Sequence, residues 1–274
     1  MTSDSNRPLT IRDLLDAKRE GRKIVVLTCY DALTARVLDP IVDLLLVGDS
    51  VNQVVAGHGT TLSATLDQMI YHASAVRRGA QRALVFVDLP FLTYQISIAE
   101  ALRNAGRVLQ ESGAHGVKLE GGRHMAETIR ALVQVGIPVM GHLGLTPQSV
   151  NALGGYRVQG READTGTRLL EDAKTLDEAG ACSMVLELIP AELAAGSVRR
   201  CGCRQSASEP ACPATVRCWC FRTCSASTRT SRQNFSRSTP ISPPPSARRP
   251  RRTPTMCAPE SIQGRSTALS RDGR

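Results

Sequence analysis

The sequence predicts an α/β fold, a (βα)₈ TIM-type barrel that lacks its last two strands and ends in a disordered C-terminal tail. Three observations predict it. Six short apolar runs alternate with stretches of helical spacing, and strands so separated pair in parallel. Each run ends in a polar or charged residue, where such folds keep their chemistry. No glycine-rich dinucleotide loop follows the first run, which argues against a flat doubly wound sheet.

The elements follow in order. Thr10 caps a helix that runs to Glu20, with Ile11, Leu14, Leu15 and Lys18 at helical spacing, and Gly21 ends it. Ile24 to Cys29 is β-branched and apolar, a first strand, and Ala32 to Leu38 reads as a helix. Leu44 to Gly48, a second strand, is apolar throughout, as a strand buried on both faces must be. Asp49 and Ser50 follow it. Thr65 and Gln68 form a capping box before Met69, Ala73 and Val76. Ala83 to Val87 is the third strand, ending at Asp88. Ser97 and Glu100 are spaced as a second capping box, for a helix that Gly113 terminates.

Gly116 to Leu119 is the fourth strand, ending at Glu120, and the next helix carries Met125, Ile129, Leu132 and Val133. Pro138 to Gly141 is the fifth strand, with His142 at its end. After a glycine-rich loop through Gly160, Leu169, Ala173 and Leu176 mark a helix closed by Gly180. Ser183 to Leu188, carrying Glu187, is the sixth strand.

The net charge of +9 hides two dissimilar parts. From Ala195 onward there are 15 arginines, no lysine and three acidic residues, together with seven of the nine cysteines. Residues 1–194 carry 19 basic and 22 acidic side chains and only Cys29 and Cys182, a usage that fits a reduced, cytoplasmic setting. We therefore expect a catalytic barrel domain over 1–194 and an Arg/Ser/Pro/Cys-rich tail over 195–274. The first ten residues lack the apolar stretch of a secretory signal, and no apolar run is long enough to span a membrane.

Asp49, Asp88 and Glu120 end strands two, three and four, so a barrel brings them to one mouth. Three carboxylates that close repel one another unless a cation sits among them, and oxygen ligands suit Mg²⁺. Caps on the following helices are the alternative role for each. Lys118 and Glu120 are two apart on a strand and face the same side, so Lys118 sits just below Glu120. It would hold a substrate carboxylate, or act as a structural lysine paired to an acid. His142 is a hydrogen-bond donor to substrate or a structural histidine. Val185 and Ile189 flank Glu187, an apolar setting that suits a general base; a salt bridge to a loop is the other reading. Ser50 would bind a ligand or cap a turn.

Several of these motifs resemble the ketopantoate hydroxymethyltransferase family over residues 8–194. They include Val47-Gly48-Asp49-Ser50, Asp88-Leu89-Pro90-Phe91, Val117-Lys118-Leu119-Glu120-Gly121-Gly122, Gly154-Gly155-Tyr156-Arg157-Val158-Gln159-Gly160 and Leu186-Glu187-Leu188-Ile189-Pro190. The most specific is Gly141-His142-Leu143-Gly144-Leu145-Thr146-Pro147-Gln148-Ser149. The resemblance implies transfer of a hydroxymethyl group from 5,10-methylenetetrahydrofolate to 3-methyl-2-oxobutanoate, giving ketopantoate, in a Mg²⁺-dependent homo-oligomeric enzyme. It implies Asp49, Asp88 and Glu120 as the metal site. Asp49, Ser50, Asp88, Lys118 and His142 would contact or adjoin the keto acid, and Glu187 would accept the proton. The chain departs from the family at Asn52-Gln53, where Gly-Met is usual, and at Gly59, where Asp is usual. A different Mg²⁺-dependent keto-acid lyase or aldolase on the same barrel is the enzymatic alternative, separated by folate dependence.

The family continues with two strands, around Ile-Gly-Ile-Gly-Ala-Gly and Val-Leu-Val-x-x-Asp-Met, which are absent here as written. The basic tail suggests nucleic-acid binding by charge alone, a reading that leaves residues 1–194 unexplained and is not preferred. The tail cysteines lack the paired spacing of a zinc site. A reading-frame slip near Ala195 accounts for more. Shifted by two bases, codons permitted by Gln205 to Pro210 read Val-Gly-Ile-Gly-Ala. Those permitted by Val216 to Ser225 read Ala-Val-Leu-Val-Phe-Gln-Asp-Met-Leu. A barrel without these strands leaves the edges of strands one and six unpaired, so the chain as written is expected to be poorly soluble and to turn over little. Sequencing the gene should show the two family segments in the neighbouring frame; their absence from it would contradict the slip.

Overall fold

The structure, a computed structural model, describes residues 7–200, 204–207 and 216–220. The chain divides into two units, 1–232 and 233–274, and the second lies outside the described residues, as does most of the expected disordered tail.

The six predicted strands form as β1 (Ile24–Thr28), β2 (Leu44–Val47), β3 (Leu84–Asp88), β4 (Gly116–Glu120), β5 (Val139–Gly144) and β6 (Ser183–Glu187). The helices are α1 (Ile11–Arg19), α2 (Ala32–Leu38), α3 (Val51–Val54), α4 (Leu66–Gly79), α5 (Ile98–Ser112), α6 (Ala126–Gln134), α7 (Val150–Leu153), α8 (Ala163–Glu178) and α9 (Ala191–Arg200). The single-turn helices α3 and α7 carry too few residues for a periodic signal, so they were not legible. The Thr65–Gln68 capping box forms in both directions, whereas at Ser97 only the hydroxyl cap to the Glu100 N–H is made.

All strands are parallel and each pairs with the next. The expectation of a ring left open is corrected. Arg204–Ala207 (β7) pairs with β6, Val216–Cys220 (β8) pairs with β1, and the barrel closes. The last joint is narrow, with register partners only at Ser206–Val216 and Ala207–Arg217. Closure is possible because a ladder is made of backbone N–H and C=O groups, which every residue but proline supplies. Both strands fall where the shifted frame reads as family strand.

Strand alternation sets two layers of core. Ile24, Val26, Leu44, Leu46, Leu84, Phe86, Met140 and Val185 cluster inside the ring, and Leu14 and Ala17 of α1 join them. The opposite parity, including Leu45, Val47, Val85, Val87, Val117, Leu119 and Val139, packs against the surrounding helices. Burying each such side chain contributes about 1.5–3 kcal/mol. The inward parity continues upward into Asp88, Lys118, Glu120, His142 and Glu187, which is how the fold converts a hydrophobic pattern into a polar mouth. Among the described residues no helix is long and apolar enough to cross a membrane.

Away from the mouth, His115 joins β4 to β3. Its Nδ1 accepts the Val85 N–H at 2.9 Å, which requires that nitrogen to be unprotonated. Burial, aided by the Arg77 charge, pushes its pKa from about 6.5 down to about 4. The unfolded chain therefore binds this proton first. The stabilisation is complete above pH 6.5 and is lost as pH falls through about 4. Urea midpoints of the protein and of His115→Gln should converge between pH 7 and pH 4; a pH-independent difference would contradict the assignment.

Candidate active site

The mouth at the carboxyl ends of β2 to β6 gathers the predicted residues. Lys118 is buried, and its Nζ lies 2.8 Å from Asp88 Oδ1 and 3.7 Å from Glu120 Oε1. The Asp88 contact is an ion pair without directed hydrogen-bond geometry, since that oxygen has no hydrogen-bond partner. Burial opposes the lysine's charge, but Asp88, Glu120 and Asp49 outweigh it and hold the ammonium firmly protonated. Asp49 is pushed up to about 7 by burial and by the charges of Asp88 and Glu120.

None of the three strand-end carboxylates serves as the cap that local sequence would allow. Asp49 Oδ2 accepts from Gln148 Nε2 at 2.9 Å, Asp88 Oδ2 accepts from the Asp49 N–H at 3.0 Å, and Glu120 Oε2 accepts from the Gln148 N–H at 3.0 Å. Asp88 Oδ1 and Glu120 Oε1 are buried without a hydrogen bond. Gly48 takes the inward position beside them. A side chain there would come within 2.8 Å of Ser50 Oγ and 3.6 Å of Asp88 Oδ2, so glycine keeps this floor open.

His142 is buried between two acids, with Nδ1 3.2 Å from Glu120 Oε1 and Nε2 3.3 Å from Glu187 Oε2. Burial and the Lys118 charge disfavour its protonation, yet the two carboxylates prevail and push it up to about 9. The expected apolar setting of Glu187 is corrected: its side chain is 27% exposed and faces the imidazole, because the flanking Ile189 lies past the strand end. The backbone around it is tightly held. Leu188 adopts a left-handed φ of 46°, and Leu145 N–H donates to the Glu187 carbonyl at 2.8 Å. Gly144 lies so close to that carbonyl that a Cβ would stand 2.1 Å from it.

Ser50 Oγ lies 2.7 Å from the Tyr30 hydroxyl. The two departures from the family pattern bind a loop and not the carboxylates. Asn52 Nδ2 donates to the Thr60 carbonyl and to Ser63 Oγ, both at 2.8 Å, and Gln53 Nε2 donates to the Gly59 carbonyl at 3.0 Å.

The fold thus brings together Asp49, Ser50, Asp88, Lys118, Glu120, His142 and Glu187. Among the described residues, however, no three acidic, histidine or cysteine side chains converge on one centre at ligand spacing. The charge that stands between the carboxylates is the Lys118 ammonium. The donor chemistry still fits a hard cation: oxygen donors only, with two buried carboxylate oxygens lacking hydrogen-bond partners. Sequence reasoning did not single out Gln148 and Tyr94, which the structure places at the mouth against Asp49 and the Glu120 backbone. Gln148 lies in the most specific motif, but an amide carries no charge signal, and nothing in the spacing marks Tyr94.

A parallel α/β barrel with buried carboxylates, a lysine and a histidine at its carboxyl mouth defines the class, an α/β-barrel enzyme. The ketopantoate hydroxymethyltransferase profile matches residues 8–201, and the chain belongs to that family. It is 55% identical over 192 residues to the 3-methyl-2-oxobutanoate hydroxymethyltransferase of Prosthecochloris aestuarii, covering 68% of this chain and 69% of the relative. It is 52% identical over 194 residues to that of Syntrophus aciditrophicus, covering 70% and 71%. Among solved structures it resembles a phosphonopyruvate hydrolase bound to oxalate and Mg²⁺, with a TM-score of 0.59 and 12% identity over 81% of this chain and 85% of the other. That likeness concerns the fold alone.

Proposed function

We propose that this mouth transfers a hydroxymethyl group from 5,10-methylenetetrahydrofolate to 3-methyl-2-oxobutanoate, giving ketopantoate, with Asp49, Asp88 and Glu120 holding Mg²⁺. Family membership supports the reaction. One observation supports the assignment of roles: Glu187, His142, Glu120, Lys118 and Asp88 form a continuous series of charged contacts across the mouth.

When bound, Mg²⁺ supplies Lewis-acid polarisation of the keto oxygen. The residues then divide the work. Lys118 sits beneath Asp88 and Glu120 and offers its ammonium to the keto acid's negative charge. Ser50, oriented by the Tyr30 hydroxyl, offers a hydroxyl over the floor that Gly48 leaves open. Glu187 takes the proton from the carbon next to the ketone, and His142, 3.3 Å away, aims its carboxylate. The freed electron pair forms a C–C bond to the one-carbon unit; the two bonds from that carbon to the folate nitrogens break, water supplies the oxygen of the new hydroxymethyl group, and tetrahydrofolate leaves with its two nitrogens protonated. The keto acid and the folate are the partners this reading requires, and the homo-oligomeric state is carried from the resemblance.

Deuterium exchange at the substrate α-carbon in D₂O isolates the proton step and needs no folate. The protein with Mg²⁺ should wash deuterium into 3-methyl-2-oxobutanoate, and Glu187→Gln should slow this by about 10²-fold or more. Equal exchange rates would contradict the role of Glu187, and folate-independent product formation would contradict the reaction.

A further inference from the structure

Gln148 is an uncharged side chain buried among the charges of the mouth and only 5% exposed. It lies in the 3₁₀ turn Pro147–Ser149 that follows β5. Every hydrogen-bonding atom of its amide is engaged. Nε2 donates to Asp49 Oδ2 and to the Leu89 carbonyl, both at 2.9 Å. Oε1 accepts from the Tyr94 hydroxyl at 2.7 Å and from Gln95 Nε2 at 3.2 Å. Leu89 offers only a carbonyl, so the amide nitrogen must face it, and the same nitrogen then faces Asp49. The Tyr94 hydroxyl meets the other end: it accepts the Glu120 N–H at 3.0 Å and donates over 2.7 Å to Gln148 Oε1, the shorter of its two acceptor contacts, the other being the Glu120 carbonyl at 3.2 Å.

The consequence lies in which oxygens are left. The Gln148 side chain occupies Asp49 Oδ2, the Gln148 backbone N–H occupies Glu120 Oε2, and the Asp49 backbone N–H occupies Asp88 Oδ2. Each carboxylate has one oxygen engaged by an N–H. Of the others, Asp88 Oδ1 and Glu120 Oε1 make no hydrogen bond and face only the charges of Lys118, 2.8 and 3.7 Å away, and of His142, 3.2 Å from Glu120 Oε1, which a bound cation would have to displace. We infer that Gln148 is a positioning residue that restricts Asp49, through its amide, and Glu120, through its backbone N–H, to one oxygen each toward a cation and so makes the site select Mg²⁺ over Ca²⁺. The inference rests on the Mg²⁺ reading above. Ca²⁺ takes six to eight oxygens and often grips a carboxylate through both, whereas Mg²⁺ demands a small octahedron and keeps several waters. A site that withholds the second oxygen of each acid favours the smaller ion.

The test is calorimetric titration of the full-length protein with MgCl₂ and, separately, CaCl₂, without substrate. Gln148→Met keeps the length of the side chain and the backbone N–H to Glu120 but frees Asp49 Oδ2. Its Mg²⁺ affinity should fall about 10-fold or more, as for other groups that orient metal ligands, and its Ca²⁺ affinity by less, so the Mg²⁺:Ca²⁺ preference shrinks. Tyr94→Phe, which releases the other end of the amide, should shift the preference the same way by a smaller factor. It decides the matter if circular dichroism shows Gln148→Met unfolded. Equal losses for the two ions, or an unchanged preference in the folded variants, would overturn the role of Gln148. Absence of Mg²⁺ binding by the unsubstituted protein would overturn the metal reading beneath it.

Discussion

The structure depends on keeping Lys118 and three carboxylates out of water at the same place. Separating such charges from solvent costs several kcal/mol per ion, and their attraction offsets this only where the remaining lone pairs find hydrogen-bond donors. Here the donors are fixed parts of the framework: the backbone N–H of Asp49, the backbone N–H of Gln148 and the Gln148 amide. The two backbone groups cannot move without moving a strand end or a turn, and the amide is held at both ends by its own hydrogen bonds. Burial, and after it the closeness of Asp88 and Glu120, makes Asp49 resist ionisation, and the same acids keep Lys118 charged despite its burial.

The barrel makes that arrangement possible through parity. Residues two apart on a strand share a face, so Leu84, Phe86 and Asp88 rise along one inner wall, and Lys118 and Glu120 along the next. The lower layers are hydrocarbon and exclude water. The top layer is charged and opens on the mouth. The register then sets the neighbours: Asp88 stands beside Lys118, and Glu120 beside His142. The contacts of the site follow from ladder pairing before any side chain adjusts.

Much of this was legible in the sequence because it rests on local pattern. Apolar runs gave the six strands, and the two-residue spacing of Lys118 and Glu120 placed both on one side. What depended on distant partners was not legible. Gln148 meets Asp49 across 99 positions and Tyr94 across 54, and neither separation leaves a trace in composition. Glu187 seemed set among apolar neighbours, but the strand ends at that residue, and His142 from the adjacent strand supplies its surroundings. The closing strands were invisible for a different reason. Arg204–Ala207 is mostly polar and Arg217 interrupts the apolar residues of Val216–Cys220, so neither reads as a buried strand, although their backbones complete the ladder.

The central claim is that Asp49, Asp88 and Glu120 share one divalent cation at this mouth. The most direct test is a crystal grown with Mn²⁺, an anomalous scatterer that accepts the same oxygen ligands as Mg²⁺. The account predicts a single anomalous peak within coordination distance of at least two of these carboxylates. A peak elsewhere, or Lys118 Nζ still paired with Asp88 and no ion beside it, would contradict it.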